Sequence, residues 1–271
     1  MGSGFTPAPL HIWSNNARGL NAPERRSHIL RSLWSEKVSI AFLQETHFLG
    51  DRGPSLRDSR FPLGYFANHP TTKRAGVAIL LARTVPFVCT GIESDPMGRF
   101  IFIKGSIAEC IYTFACVYAP NIHQRKFLRQ TLTKLERFRE GFLIMAGDLN
   151  VALEPGTDTS RGVSAFSPHG LRSIRNGLRD AGLVDAWRAL HPCDTDFTYY
   201  STVHKRYSRL DYVFLAQELL PMLLSADIRP MGWSDHSPVS VQIRSPLFRP
   251  TGRQWRMNES ILTDVPIAAD I

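Results

Sequence analysis

Six polar clusters interrupt the chain at points where short apolar runs begin or end. They are Ser14-Asn15-Asn16-Ala17-Arg18-Gly19-Leu20, Phe42-Leu43-Gln44-Glu45-Thr46-His47, Val117-Tyr118-Ala119-Pro120-Asn121, Met145-Ala146-Gly147-Asp148-Leu149-Asn150, Arg209-Leu210-Asp211-Tyr212-Val213 and Ser234-Asp235-His236-Ser237-Pro238. Taken singly, each has a plain structural reading. Glu45 suits a solvated strand cap, Gly-Asp-x-Asn is good turn chemistry, and Tyr118 suits a core or rim aromatic. Asp211 is harder to explain away: it sits in an apolar run, and a buried carboxylate is costly without a partner, for which a His is the natural candidate. Together the clusters hold what phosphodiester hydrolysis needs: a base for water, hard oxygen ligands for a cation, and donors to the phosphoryl oxygens. Among motifs for other chemistries, no G-x-S-x-G elbow, P-loop or G-x-G-x-x-G occurs.

Strand ends must position these residues. Apolar or alternating runs predict strands over Leu10–Asn15, Val38–Gln44, Gly76–Ala82, Phe100–Lys104, Ile111–Tyr118, Phe142–Ala146, Leu210–Leu215 and Pro238–Ile243. Helical spacing predicts helices over Pro23–Glu36, Gln124–Arg139 and Pro168–Asp180, with Pro23 in a first turn and Gly182 as a stop. Many strands and few helices, mixed along the chain, predict an α/β sandwich with sheets face to face and helices outside.

The 271 residues carry 32 Lys and Arg against 24 Asp and Glu, a formal charge of +8 that favours a polyanionic partner without naming one. Cys89, Cys110, Cys116 and Cys193 lie too far apart for a C-x-x-C site, so a disulfide framework and a structural zinc are not indicated. No apolar stretch approaches the roughly 20 residues that span a bilayer, and no targeting signal is found. The expectation is a soluble, intracellular protein with no membrane partner. Met1-Gly2-Ser3-Gly4 reads as a cloning remnant within a tail of residues 1–8. Beyond residue 244, Pro246, Arg249, Pro250, Arg253 and Arg256 read as a linker over residues 245–271, leading toward a further region of the natural polypeptide.

The ordered set from Asn16 through Gln44-Glu45-Thr46, Tyr118-Ala119-Pro120-Asn121, Gly147-Asp148-x-Asn150 and Leu210-Asp211-Tyr212 to Ser234-Asp235-His236-Ser237-Pro238-Val239 resembles the endonuclease/exonuclease/phosphatase superfamily, the DNase I-like proteins. Within it, Asn16-Ala17-Arg18-Gly19-Leu20-Asn21, Gln44-Glu45-Thr46-His47, Gly76-Val77-Ala78-Ile79-Leu80 and Thr198-Tyr199-Tyr200-Ser201 look most like the endonuclease domain of LINE-type (non-LTR) retrotransposons of the L1/Tx1 kind. The resemblance implies a four-layer α/β sandwich, two packed mixed sheets flanked by helices, over residues 9–244, with a reverse transcriptase downstream. It implies a Mg²⁺-dependent nick, with Mn²⁺ as a substitute, in double-stranded DNA in the nucleus. The nick leaves a 3′-hydroxyl that primes reverse transcription.

Carried over residue by residue, Glu45 would hold the metal with Asp235 nearby, and Asp148 would orient and deprotonate water. Asn16 and Asn150 would position the phosphate. His236, oriented and kept cationic by Asp211, would donate to a non-bridging oxygen, Tyr118 would contact the phosphate or leaving oxygen, and Ser234 would support them. One departure stands out: abasic-site repair members usually carry an Asp where this chain has Arg18.

The basic, hydroxyl-rich stretch Ser201–Arg209 reads as a hairpin loop, and the corresponding loop of the family is linked to target choice. Thr202, His204, Lys205, Arg206, Ser208 and Arg209 are its expected DNA contacts, with Ser160 and Arg161 nearer the cut; a solvated loop is the competing reading of both. Abasic-site repair, a phosphatase of the same superfamily, and a DNA-binding module without activity are the alternatives to target nicking.

Overall fold

The computed structural model describes residues 9–50, 53–164, 166–230 and 232–244. The tail and linker expected at 1–8 and 245–271 lie outside them. In chain order the elements are β1 (Leu10–Asn16), α1 (Pro23–Ser35), β2 (Ile40–Gln44), β3 (Leu63–Ala67), β4 (Val77–Leu81), β5 (Phe87–Ser94), β6 (Phe100–Ile107), β7 (Cys110–Tyr118), α2 (Gln124–Phe138) and β8 (Phe142–Asp148). They continue with α3 (Pro155–Asp158), α4 (Pro168–Asp180), β9 (Leu183–Asp185), α5 (Ala186–Leu190), β10 (Tyr199–Ser201), β11 (Arg206–Ser208), β12 (Asp211–Ala216), β13 (Leu223–Ile228) and β14 (Val239–Ile243).

Two six-stranded sheets form the body, ordered β13-β14-β1-β2-β4-β3 and β5-β6-β7-β8-β12-β9, with β10-β11 as a separate hairpin. Each sheet has one parallel pair at its centre, β1 with β2 and β7 with β8, and antiparallel neighbours around it. Both are therefore mixed, as expected.

Alternation along the second sheet sorts its side chains into two cores, since successive residues of a strand face opposite ways. Ile101, Ile103, Phe114, Cys116, Ile144, Val213 and Leu215 pack toward the first sheet. Phe102, Ala115, Leu143, Met145, Tyr212 and Phe214 pack with Leu128, Leu132 and Leu135 of α2 and Leu171, Ile174 and Leu178 of α4. Ile29, Leu30 and Leu33 of α1 pack into the apolar cluster built on the first sheet. The result is four layers: helix, sheet, sheet, helices.

Local signals set the helix bounds. Pro23 stands in the first turn of α1, and the Ser167 hydroxyl accepts from the Gly170 N–H to cap α4. Gly182 ends α4 at φ 69. The sequence reading omitted β3, β5, β9 and β13. β5 and β13 each carry a register shift, between Cys89 and Gly91 and between Leu223 and Ser225, that blurs the alternation by which a strand is read. Among the described residues no helix is long and apolar enough to cross a membrane.

Candidate active site at the paired strand ends

The six clusters converge at one edge of the sandwich. The first sheet brings Asn16 at the end of β1, Glu45 just past β2 and His236 before β14. The second brings Tyr118 and Asp148 at the ends of β7 and β8, and Asp211 at the start of β12. Asp211 and Asp148 are direct register partners across β12 and β8, as are Tyr118 and Asp148 across β7 and β8. A cavity of about 550 Å³ opens there, lined by Asn16, Glu45, Asp148, Asn150, Asp235 and His236.

Backbone geometry explains the motif residues. A Cβ on Gly147 would lie 1.8 Å from the Val117 carbonyl oxygen, so only glycine lets β8 run this close to β7 before Asp148. Glu45 has φ 51, and Arg18, His47 and Asn150 share that left-handed region. Such conformations persist only where surroundings over-determine them. Here the Glu45 carbonyl accepts from Gly19 N at 2.7 Å, and the adjoining Thr46 N–H donates to the Gly76 carbonyl at 3.1 Å, clamping the turn from both sides.

Burial raises the Asp148 carboxyl, and the neighbouring Asp211 charge adds to it. His236 and hydrogen bonds from Asn150 N and Asn16 oppose them, leaving the group at about 7. Burial would push the His236 imidazole down. The charge and hydrogen bond of Asp211 outweigh it, with Asp148 and Asp235 adding to them, and hold it at about 10. The His236 Nδ1 to Asp211 Oδ2 distance is 2.8 Å, which leaves Nε2 as the second ring donor; the imidazole also packs on Tyr199 at 4.7 Å between centroids. Burial raises the Glu45 carboxyl too, but hydrogen bonds from His47, Tyr118 and Asn16 bring it down to about 2.

Several roles need correction. Asn16 is not free to position a phosphate: its Nδ2 donates to Glu45 Oε1 at 2.9 Å and to Asp148 Oδ2 at 3.0 Å, tying the two sheets together. Asn150, on the cavity wall, spends one of its two amide hydrogens on the Ala119 carbonyl, and the Tyr118 hydroxyl hydrogen-bonds Glu45. Asp235 lines the cavity yet pairs with Arg18 at 2.9 Å, so a guanidinium competes for the oxygen expected to serve metal. Ser234 donates to the Asn16 carbonyl and accepts from His236 N.

Arg209 is overturned as a DNA contact. Its side chain is 1% exposed and buried against Asp158 and Asp185, with Nε to Asp158 Oδ1 at 2.9 Å and Nη1 to Asp185 Oδ2 at 2.6 Å. The hairpin exists as β10 and β11. His204, Arg206 and Ser208 line the cavity, Thr202 and Lys205 are exposed, and Ser208 is itself buried. Arg161 is exposed, while the Ser160 hydroxyl accepts from Tyr207 N and so anchors the hairpin.

Sequence reasoning missed His47, whose Nε2 lies 3.2 Å from Glu45 Oε2, although it closes the Gln44–His47 cluster. It also missed Thr198, whose hydroxyl accepts from the N–H groups of Leu210 and Asp211; nothing in a lone threonine advertises that role.

Two places suggest themselves for a cation. Ligand atoms of Asp148, Asp211 and His236 lie within 4.8 Å of one another, but all three side chains are buried and the last two are bonded to each other. Asp211 Oδ1 is buried without a hydrogen-bond partner among the described residues. Glu45 is ionised near neutrality, partly exposed and on the cavity wall, with Asp235 opposite the same space. That all-oxygen face suits a hard divalent ion better, and the residues fit one.

Comparisons with known proteins agree with this geometry. The pattern of the Endonuclease/Exonuclease/phosphatase family matches residues 12–236. The chain is 28% identical over 271 residues to the transposon TX1 uncharacterized 149 kDa protein of Xenopus laevis, matching 97% of this chain but spanning only 20% of that protein. Its fold is similar to the AP endonuclease LMAP of Leishmania major, with a TM-score of 0.71, 20% identity and coverage of 88% of this chain and 89% of that one. It is also similar to an AP endonuclease from Archaeoglobus fulgidus, with a TM-score of 0.69, 22% identity and coverage of 87% and 100%.

Proposed function

Starting from a chain that belongs to the endonuclease/exonuclease/phosphatase family, we propose a DNA endonuclease that nicks a target duplex in the nucleus. In this reading the nick primes reverse transcription of a non-LTR retrotransposon RNA by a downstream region of the same polypeptide. The observation that carries the hydrolytic part is the pairing of a carboxyl raised to about 7, Asp148, with an imidazolium held by Asp211. A base poised near neutrality accepts a proton from water, and a buried cation stabilises charge on the phosphoryl oxygens. The likeness to a transposon protein supports the biological setting. Arg18 against Asp235, where repair enzymes usually place a carboxylate, weighs against abasic-site repair.

In this reading water oxygen attacks phosphorus and its proton passes to Asp148; the P–O3′ bond breaks with its electron pair on O3′, which takes a proton from solvent water, leaving a 5′-phosphate and a 3′-hydroxyl. His236 Nε2 donates to a non-bridging oxygen. Asp211 keeps that imidazole charged and oriented. Glu45 and Asp235 would hold the Mg²⁺, for which Mn²⁺ would substitute, and the ion would neutralise charge on the phosphate. Asn16 holds Glu45 and Asp148 at a fixed separation across the two sheets. Arg206 and His204 of the hairpin reach the flanking duplex.

The test is relaxation of supercoiled plasmid with Mg²⁺ or EDTA, followed by polymerase extension of the nick without prior phosphatase treatment. Metal-dependent, directly extendable nicks in undamaged DNA are expected. Strong preference for an abasic duplex, or turnover of an inositol phosphate without nicking, would overturn the reading.

A further inference from the structure

Most of the chain's excess positive charge sits on two helices that the chemistry above does not use. α2 has five Lys and Arg against one Glu, and α4 has three Arg against one Asp, so the pair carries six of the formal +8. They lie side by side on the outer face of the second sheet. At their C-terminal ends Arg139 Nη1 donates to the Ala181 carbonyl at 3.1 Å. At their N-terminal ends Gln124 and Phe166 reach the catalytic cavity. The helices therefore run parallel, and the groove between them starts at the cavity rim.

That groove encloses about 650 Å³, with Leu128, Leu132 and Ile174 in its floor. Arg125, Arg129, Arg137 and Arg172 line its walls and outnumber the two carboxylates there, Glu136 and Asp180; all four are exposed, and none has an ion pair with a described residue. Arg139 and Arg175 beside them are paired, with Glu136 and Glu154. Four unpaired guanidiniums facing one groove repel one another until a polyanion neutralises them. Helices in contact lie about 8–10 Å apart, and a duplex, whose bases are stacked inside it, does not cover the apolar floor of so narrow a groove. A single strand does: its phosphates meet the guanidiniums, and its bases lie on the aliphatic floor or on guanidinium planes. α2 spans about 22 Å at 1.5 Å per residue, room for several nucleotides.

We propose that the α2–α4 groove binds a single strand of nucleic acid and leads it away from the catalytic cavity. Only the source of that strand rests on the nuclease reading; the binding does not. The test uses the full chain in EDTA, with fluorescence anisotropy of a fluorescein-labelled 20-nucleotide oligothymidine. The charge-reversed variant R125E/R129E/R172E loses at least about tenfold in affinity, and its slope of log affinity against log salt falls by about 2. The neutral variant R129Q/R172Q loses less, and both keep the wild-type melting curve and nick plasmid within twofold of wild type. Unchanged oligonucleotide affinity in both variants overturns the proposal. So does displacement of the oligonucleotide by a glutamate-rich amphipathic peptide of higher affinity, which reassigns the groove to a protein partner. Failure of the wild type to nick plasmid, with strand binding intact, sinks the nuclease reading alone.

Discussion

Two buried charge clusters meet at the entry to β12, and they are built to opposite rules. Around Arg209, two guanidiniums face two carboxylates. Asp158 Oδ1 accepts from Arg188 and Arg209, and its Oδ2 accepts from Arg209 and from Glu154 N. Two residues on, Asp211 and Asp148 share one imidazole, and Asp211 Oδ1 has no partner among the described residues. The first cluster is balanced in charge and both oxygens of Asp158 are taken, which makes it a clamp. The second holds more negative charge than its cation cancels; burial and then the Asp211 charge raise Asp148, and acceptor capacity is left unspent. Balance gives rigidity; deficit gives reactivity.

The sharpest way to break the comparison is to delete one member of each. Asp148→Asn lowers plasmid nicking by about 10²–10⁴-fold while the melting temperature moves little. Arg209→Met does the reverse: it strands Asp158 and Asp185 and costs about 3–5 kcal/mol in urea unfolding. Loss of nicking in Arg209→Met with stability intact would erase the distinction. A smaller effect appears with pH. Nicking rises through about pH 7 as Asp148 ionises and falls near pH 10 as His236 loses its proton. Because the folded-state pKa of His236 lies above its ordinary value, its pairing stabilises fully below about pH 6.5 and is lost as pH rises toward about 10. Asp211→Asn therefore lowers the melting temperature more at pH 6 than at pH 10; an equal drop at both would show that the imidazolium contributes nothing. The smallest effect concerns the exposed pair at the rim. Arg18→Ala frees Asp235 and lowers the Mg²⁺ concentration for half-maximal nicking by less than about fivefold, in keeping with a solvent-screened ion pair. A rise instead would mean that Arg18 itself serves the substrate.

What could be read in advance divides along the same line. Asp211 stood out because a lone carboxylate in an apolar run demands a partner, and His236 is that partner. The strand-end clusters were legible because each couples an apolar run to a polar end, a local pattern. Arg209 was misread because its partners lie 51 and 24 residues away, and locally it looks like one more cation in a basic loop. The spent donors of Asn16 and Asn150 were not legible, since which acceptor an amide finds depends on how two sheets meet.

The topology of the first sheet has a consequence for when the site is complete. β1, with Asn16 at its end, pairs with β14, so that Leu10 faces Ile243. His236 arrives with that last strand. A ribosome must therefore release more than two hundred residues before the imidazole can find Asp211. Until then the growing chain carries Glu45, Asp148 and Asp211 without the ring that pairs with them: the constellation is finished last, by order of assembly.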